Sequence, residues 1–461
     1  LPLIAKLLAI AIGQDWVSPT TYFWASLLIV AMAAVALGYY FRLQGHSPYW
    51  ALTWGLAFGT QVTLQTGLPD AAADGLLIIS FVCLARNRLV LYGISATLAA
   101  LTREAYILFP FMVAAVHAWE YWVHRHTEKR NARAFLRLTA SAVPGLLFMA
   151  WHAYLKFRFA SEPRSEVIGI LDAPFSSWLR HLKSGLVGEH LFVPAGSQSH
   201  LEALQLILFA ILLGAAAWLS WKALKKGPTH IKALSLTALS LVALYTCFGD
   251  TVMMHFSGYL KAANVFLWLC PVLWFECGNK VNWRPTLFLA AYFAATIPAM
   301  WSIWIWNGNA AVSRYTRTGD VTEHTPVTCS PKRPKLEVKV LRLELPSRRN
   351  ALYFAMRPYL MVAHVRITNS GEFALRSVHA PGSFNIVSRW RNEKTQAVSD
   401  FGPRTMLATS LMPGESRDLA VVVRSPRSQN ENELLIGVVQ EQCQAFEASG
   451  TFTKVDTVDV K

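Results

Sequence analysis

The chain has 461 residues, of which 53% are hydrophobic and only 15% charged, and its mean hydropathy is positive. Most of the charge falls after about residue 310, which excludes a chain soluble throughout and predicts an integral membrane portion followed by a soluble domain. The net charge of +15 sits largely in short loops between apolar runs, a topology signal rather than a nucleic-acid one, so no nucleic-acid partner is expected.

The opening segment LPLIAKLLAIAI is too short to span a bilayer and carries no signal-peptide features, so the chain reads as one that has lost an N-terminal portion. Ten apolar runs follow, at 20–41, 49–65, 71–85, 89–102, 105–123, 135–154, 201–221, 231–249, 259–275 and 285–305. Crossing takes roughly 20 residues, with roughly 17 a lower limit. The two runs flanking Arg86-Asn87-Arg88 are therefore short, and read as a membrane hairpin with a basic turn.

If the runs alternate across a bilayer, the basic segments 124–137 and 221–232, Lys280, Arg284, Arg42, Arg86 and Arg88 all fall on one face. The positive-inside preference makes that face cytoplasmic. The opposite face then carries Asp15, Asp70, Asp74, Arg103, Glu104, the loop 156–200, Asp250, His255 and the C-terminal domain. Ionisable residues beside hydrocarbon cost a few kcal/mol each and read as functional by default. Here the candidates are Asp70 and Asp74 before the hairpin and Arg103-Glu104 after it, the competing reading being a stabilising ion-pair cluster. Asp70 and Asp74 are spaced i and i+4 and share one face if that turn is helical.

His117, His124 and His126 flank a basic loop whose HRH segment holds no carboxylate, which argues against a metal site. In the long loop, Phe175, Trp178, Leu179, Leu182 and Leu186 recur at near-helical spacing. Such a helix either lies in the membrane interface or packs on the protein as a lid. Trp301, Trp304 and Trp306 close the last run as an interfacial aromatic belt. Cys83, Cys247, Cys270 and Cys277 lie in or near apolar runs without metal-type spacing, whereas Cys329 and Cys443 share the soluble domain, where a disulfide stays open.

From about Thr325 the period changes. KLEVKVLRLEL, YLMVAHVRITN, FNIVSRW, DLAVVVR and ELLIGVV alternate or run with β-branched residues, separated by turn signals such as Asn369-Ser370-Gly371, Pro381-Gly382 and Pro413-Gly414. This predicts an all-β, immunoglobulin-like sandwich over 325–461 after a polytopic helical domain over 1–310. The surplus of Arg in the sandwich is read as a solvated face.

The segments LPLIAKLLAIAIGQ, GHSPYWALTWGLAFG, LQTGLPDAAADGLLIISFVCLARN and LTREAYILFP together resemble bacterial polytopic glycosyltransferases of the GT-C superfold. The likeness is closest to cell-surface glycopolymer formation proteins, which often read D-x-x-x-E/D before the hairpin and LTRE after it. VRITNSGE, GPRTML, LMPGES and LLIGVVQEQ resemble a β-sandwich module of bacterial glycan-synthesis proteins. The resemblance implies a multi-pass protein of the bacterial inner membrane whose C-terminal domain is extracytoplasmic. It implies transfer of a sugar from a polyprenyl-phosphate-linked donor to a glycan or lipid-linked acceptor, with membrane lipid as a further partner. Catalytic carboxylates would then come from Asp70, Asp74 and, in second rank, Asp15. Arg103 and Lys261 would bind the donor phosphate, Arg103 by its planar fork, and Glu104 would orient Arg103. No cofactor is implied with certainty; a divalent metal stays open, although no ligand set stands out.

Two other classes fit the composition. A transporter or flippase-like protein predicts polar residues near mid-membrane and an internal repeat, neither of which stands out. A non-catalytic glycan-assembly subunit would use the sandwich for binding alone. The enzyme reading alone requires Asp70, Asp74, Arg103 and Lys261 to converge.

Overall fold

The computed structural model describes residues 2–13, 19–66, 68–123, 128–158, 170–187, 190–192, 196–197, 200–253, 256–279, 283–315, 334–344, 360–376, 384–392, 394–398, 405–407, 410–424, 431–440 and 453–454. The chain divides into two compact units, Leu1–Leu182 with Leu204–Met300, and Lys183–Ala203 with Trp301–Lys461. The sequence predicts one boundary between 310 and 325; the second unit instead begins at Trp301 and takes in the segment Lys183–Ala203.

The first unit is helical. It opens with α1 (Pro2–Ala11), α2 (Pro19–Leu43), α3 (Leu52–Gly55) and α4 (Phe58–Thr66). The hairpin follows as α5 (Asp70–Ala85) and α6 (Leu89–Thr102), then α7 (Leu108–Val123) and α8 (Glu128–Arg158). α9 (Ser176–Val187) and α10 (His200–Lys226) precede α11 (Thr229–Thr246), α12 (Asp250–Met253), α13 (Phe256–Ala263), α14 (Phe266–Glu276) and α15 (Trp283–Tyr315). Among the described residues, four stretches are long and apolar enough to cross a bilayer: Thr21–Leu43, Phe135–Arg158, His200–Lys225 and Gly258–Glu276. Their length and composition point to a membrane protein. α5, α6 and α7 have 16, 14 and 16 residues. At a rise of about 1.5 Å per residue each is about 21–24 Å long, short of a hydrocarbon core of about 30 Å.

The hairpin turns where Asn87 takes a left-handed backbone with φ of 55°, a conformation that Asn tolerates better than most residues. α5 packs against both α2 and α6. Gly75 permits the close approach, since a Cβ there would lie 3.1 Å from the Ile29 Cγ2 and 3.2 Å from the Ala33 Cβ.

Contacts link the basic helix ends to one another. Tyr40 donates a hydrogen bond to Glu276, the Arg86 guanidinium lies 5.8 Å from the Tyr39 ring centre, and His46 stacks on Phe275 at 3.9 Å. The Cys277 thiol reaches the Leu219 carbonyl at 3.7 Å, and His230 meets Phe81 at 6.0 Å. The start of α5 and the end of α6 lie at the far end of the hairpin from this basic turn.

α9 packs on the protein. Residues before it pair with the end of α11: Asp172 and Phe175 donate backbone hydrogen bonds to the Cys247 and Thr246 carbonyls at 2.8 and 2.7 Å. Trp178 is buried, donates to the Tyr245 carbonyl at 3.0 Å and packs on Phe209. Leu179, expected on the same face, is 65% exposed.

The second unit carries a short antiparallel pair, β1 (His190–Phe192) with β2 (Gly196–Ser197), and two further antiparallel sheets. Its other strands are β3 (Leu336–Glu344), β4 (Leu360–Asn369), β5 (Phe384–Asn392), β6 (Thr405–Met406), β7 (Ser416–Arg424), β8 (Glu431–Gln440) and β9 (Thr453–Lys454). They pair in the orders β3-β4-β7 and β6-β5-β8-β9. Alternate residues of β4, β7, β5 and β8, among them Val365, Ile367, Val421, Ile386 and Ile436, form one buried core, and β5 and β8 are buried on both faces over 384–388 and 433–440. Cys329 and Cys443 lie outside the described residues, as do His124, His126 and His255.

Candidate functional site

Asp70 is the first residue of α5, set by Pro69 ahead of it, and Asp74 follows one turn later on the same face. Arg103 stands where α6 ends, in an extended conformation with φ of −145° and ψ of 112°. Because the hairpin helices run antiparallel, these residues meet. The Arg103 guanidinium lies 3.7 Å from the Asp70 carboxylate and 3.8 Å from that of Asp74. Lys261, in the last turn of α13, brings its ammonium to 3.8 Å from the other Asp70 oxygen. The structure thus gathers four residues separated by up to 191 positions in the sequence, counted from Asp70 to Lys261.

The two carboxylates differ. Asp74 is only 1% exposed and surrounded by donors. The Tyr106 hydroxyl donates to Oδ1. The Trp54 indole and the Asn264 amide donate to Oδ2 at 3.3 and 2.7 Å. Arg103 in turn donates to the Tyr106 oxygen at 3.1 Å, and the Asn264 amide also reaches the Thr60 hydroxyl at 3.1 Å. A buried carboxylate is tolerated only when satisfied in this way. Asp74 therefore links α3, the α13–α14 junction and the α6 end, with α4 joined through Asn264, and both of its oxygens are engaged. Asp70, by contrast, is 21% exposed and its partners are the two cations.

Glu104 does not orient Arg103. Its side chain is 80% exposed and lies 3.7 Å from His152. The extended backbone at Arg103 sends successive side chains to opposite sides, and Tyr106, in the 3₁₀ turn Glu104–Ile107, takes the Arg103 contact instead. Asp15 lies outside the described residues. Trp54, Thr60, Tyr106 and Asn264 were not singled out in the sequence. An amide inside the apolar stretch KAANVFLW was the one available signal for Asn264.

A second polar group lies under α9. Ser177, Arg180 and the fully buried His181 converge on Asp250, at 2.9, 3.2 and 3.0 Å, and Arg180 also pairs with Asp172 at 2.9 Å. His117 is buried against the Ser141 hydroxyl at 2.6 Å. Among the described residues no three His, Cys, Asp or Glu side chains group closely enough to hold a metal ion, and Cys83, Cys247, Cys270 and Cys277 are free thiols.

Chemically, the Asp70 end of the cluster can exchange anions. Two cations held around one partly exposed carboxylate can transfer to an incoming phosphate, and the carboxylate they leave can accept a proton. The chain matches no protein-family model, no curated protein and no solved structure.

Proposed function

We propose that the chain is a membrane glycosyltransferase that moves a sugar from a polyprenyl-phosphate-linked donor to a cell-surface glycan or lipid-linked acceptor. The observation that carries this reading is the approach of both Arg103 and Lys261 to the partly exposed Asp70 carboxylate. In the proposed step the donor phosphate draws Arg103 and Lys261 away from Asp70. The freed carboxylate takes the proton of the acceptor hydroxyl, whose oxygen bonds to the anomeric carbon. The bond from that carbon to the phosphate oxygen breaks, and the electron pair leaves with the polyprenyl phosphate, its charge met by the two cations. Asp74 acts as a positioning residue beneath Arg103.

The resemblance to GT-C enzymes supplies the sugar-transfer part of this reading, and the positive-inside pattern supplies its sidedness. In the full proposal about ten crossings complete the bundle, the protein sits in the bacterial inner membrane, and the β unit is an immunoglobulin-like sandwich on the extracytoplasmic side. The test is surface glycan in cells whose own copy is replaced by Asp70→Ala or Arg103→Ala, with membrane levels of each variant matched. Loss of glycan while labelled donor still reaches the outer leaflet supports the enzyme. Loss of donor from that leaflet identifies a flippase instead, and normal glycan in both variants overturns the site.

A further inference from the structure

α6 and α8 leave an open groove of about 940 Å³ between them. Leu91, Ile94 and Leu98 of α6 face Leu136, Val143 and Leu147 of α8 across it. Apart from Thr97, whose hydroxyl donates to the Gly93 carbonyl at 2.8 Å, its lining is apolar until the hairpin turn, where Asn87 and Arg88 close one end. Arg88 is exposed and is the N-cap residue of α6, yet its side chain does not cap the helix. The first backbone N–H groups of this 14-residue helix open at the turn where Arg88 lines the groove, and a helix N-terminus and a guanidinium both attract an anion. Arg86, the other cation of the turn, lies over the Tyr39 ring of α2 and does not line the groove.

We infer that this groove binds one anionic phospholipid, its phosphate held by Arg88 and the α6 N-terminus and one acyl chain lying between α6 and α8. Two dimensions support that occupant. From Leu89 to Leu98 the groove runs ten residues, about 15 Å at a helical rise of about 1.5 Å, which is the depth of one leaflet in a hydrocarbon core of about 30 Å. Within it Gly93 removes a side chain where nothing else fills the space, since a Cβ there would meet no atom within 4 Å. The Arg88 cation selects a net-negative headgroup over a zwitterionic one. This site is at the opposite end of the hairpin from Arg103, and its occupancy does not depend on the sugar-transfer reading.

The experiment uses the full chain purified from nanodiscs holding equal phosphatidylglycerol and phosphatidylcholine, with retained lipid identified by native mass spectrometry. Wild type is expected to retain phosphatidylglycerol with roughly fivefold preference, the order one juxtamembrane arginine provides. Arg88→Glu removes the preference. Gly93→Phe, whose Cβ meets no protein atom within 4 Å, puts a ring into the groove and removes retention itself. Lys225→Glu, a charge change on α10, leaves both unchanged. Equal retention of the two lipids, survival of the preference in both groove variants, or preferential retention of added polyprenyl phosphate each overturn the inference.

Discussion

Replacing Arg103 with Met leaves Asp74 buried with its neutral donors and without its cation. The two groups are 3.8 Å apart, a separation at which unit charges attract by about 4 kcal/mol at an effective dielectric of about 20. Arg103 is 20% exposed, which screens part of that attraction. The Tyr106, Trp54 and Asn264 donors also remain on Asp74. The expected loss is therefore about 2–4 kcal/mol, at the lower end of what breaking a buried pair does. Adding Asp74→Asn removes the stranded charge and should restore at least half of the loss, so the two substitutions are non-additive. The assay is heating of the purified chain in detergent, following reaction of the Cys270 thiol with a dye as the helices open. Equal midpoints for wild type and Arg103→Met would refute the reasoning. So would a double variant no more stable than the single one.

Three further outcomes follow from the packing. Gly59→Ala places a Cβ 2.6 Å from the Asn264 Cβ. It should cost about 1–3 kcal/mol by overpacking, lowering the same thermal midpoint, whereas Gly55→Ala meets nothing within 4 Å and should leave it unchanged. Trp178→Ala removes the side chain that anchors α9 and should cost about 3–5 kcal/mol, seen as faster protease cleavage within 170–187; an unchanged cleavage rate would count against docking through Trp178. The bidentate bond from Arg366 at 2.7 and 2.9 Å holds the Asp418 carboxyl below its ordinary 3.8. A carboxyl depressed on folding adds stability above its unfolded value and loses it as pH falls through the folded one. The gap in thermal midpoint between wild type and Asp418→Asn should therefore be full at pH 6 and shrink below about pH 4. A gap equal at pH 2.5 and pH 6 would show that the pair contributes nothing through ionisation.

The parts of the fold that were legible in the sequence are those governed by simple periods. All five segments read as strands are strands, because alternating β-branched residues between Gly and Pro turns leave little choice of element. The convergence of Asp70, Asp74, Arg103 and Lys261 was legible because charged residues are conspicuous beside apolar runs. Hydropathy was less informative about crossing. A run of 14–16 apolar residues looks the same whether it spans, thins a bilayer or buries itself, and α5 is mostly buried in the unit. Apolar spacing alone does not pick the buried face of α9: it groups Leu179 with Trp178, whereas the buried side also carries Ser177 and His181, bonded to Asp250. The neutral donors on Asp74 escaped notice because Trp, Tyr and Asn in apolar segments are ordinary, and only three-dimensional proximity gives them meaning.

In the proposed step Asp70 holds Arg103 and Lys261 where a lipid phosphate would bind. Binding of a polyprenyl phosphate to the purified full chain tests it most directly, comparing wild type with Lys261→Gln and Asp70→Asn. Lys261→Gln should weaken binding roughly tenfold, the value of one charge-assisted contact, while Asp70→Asn, which releases both cations, should tighten it. Affinity indifferent to Lys261, or weakened when Asp70 loses its charge, would contradict the account.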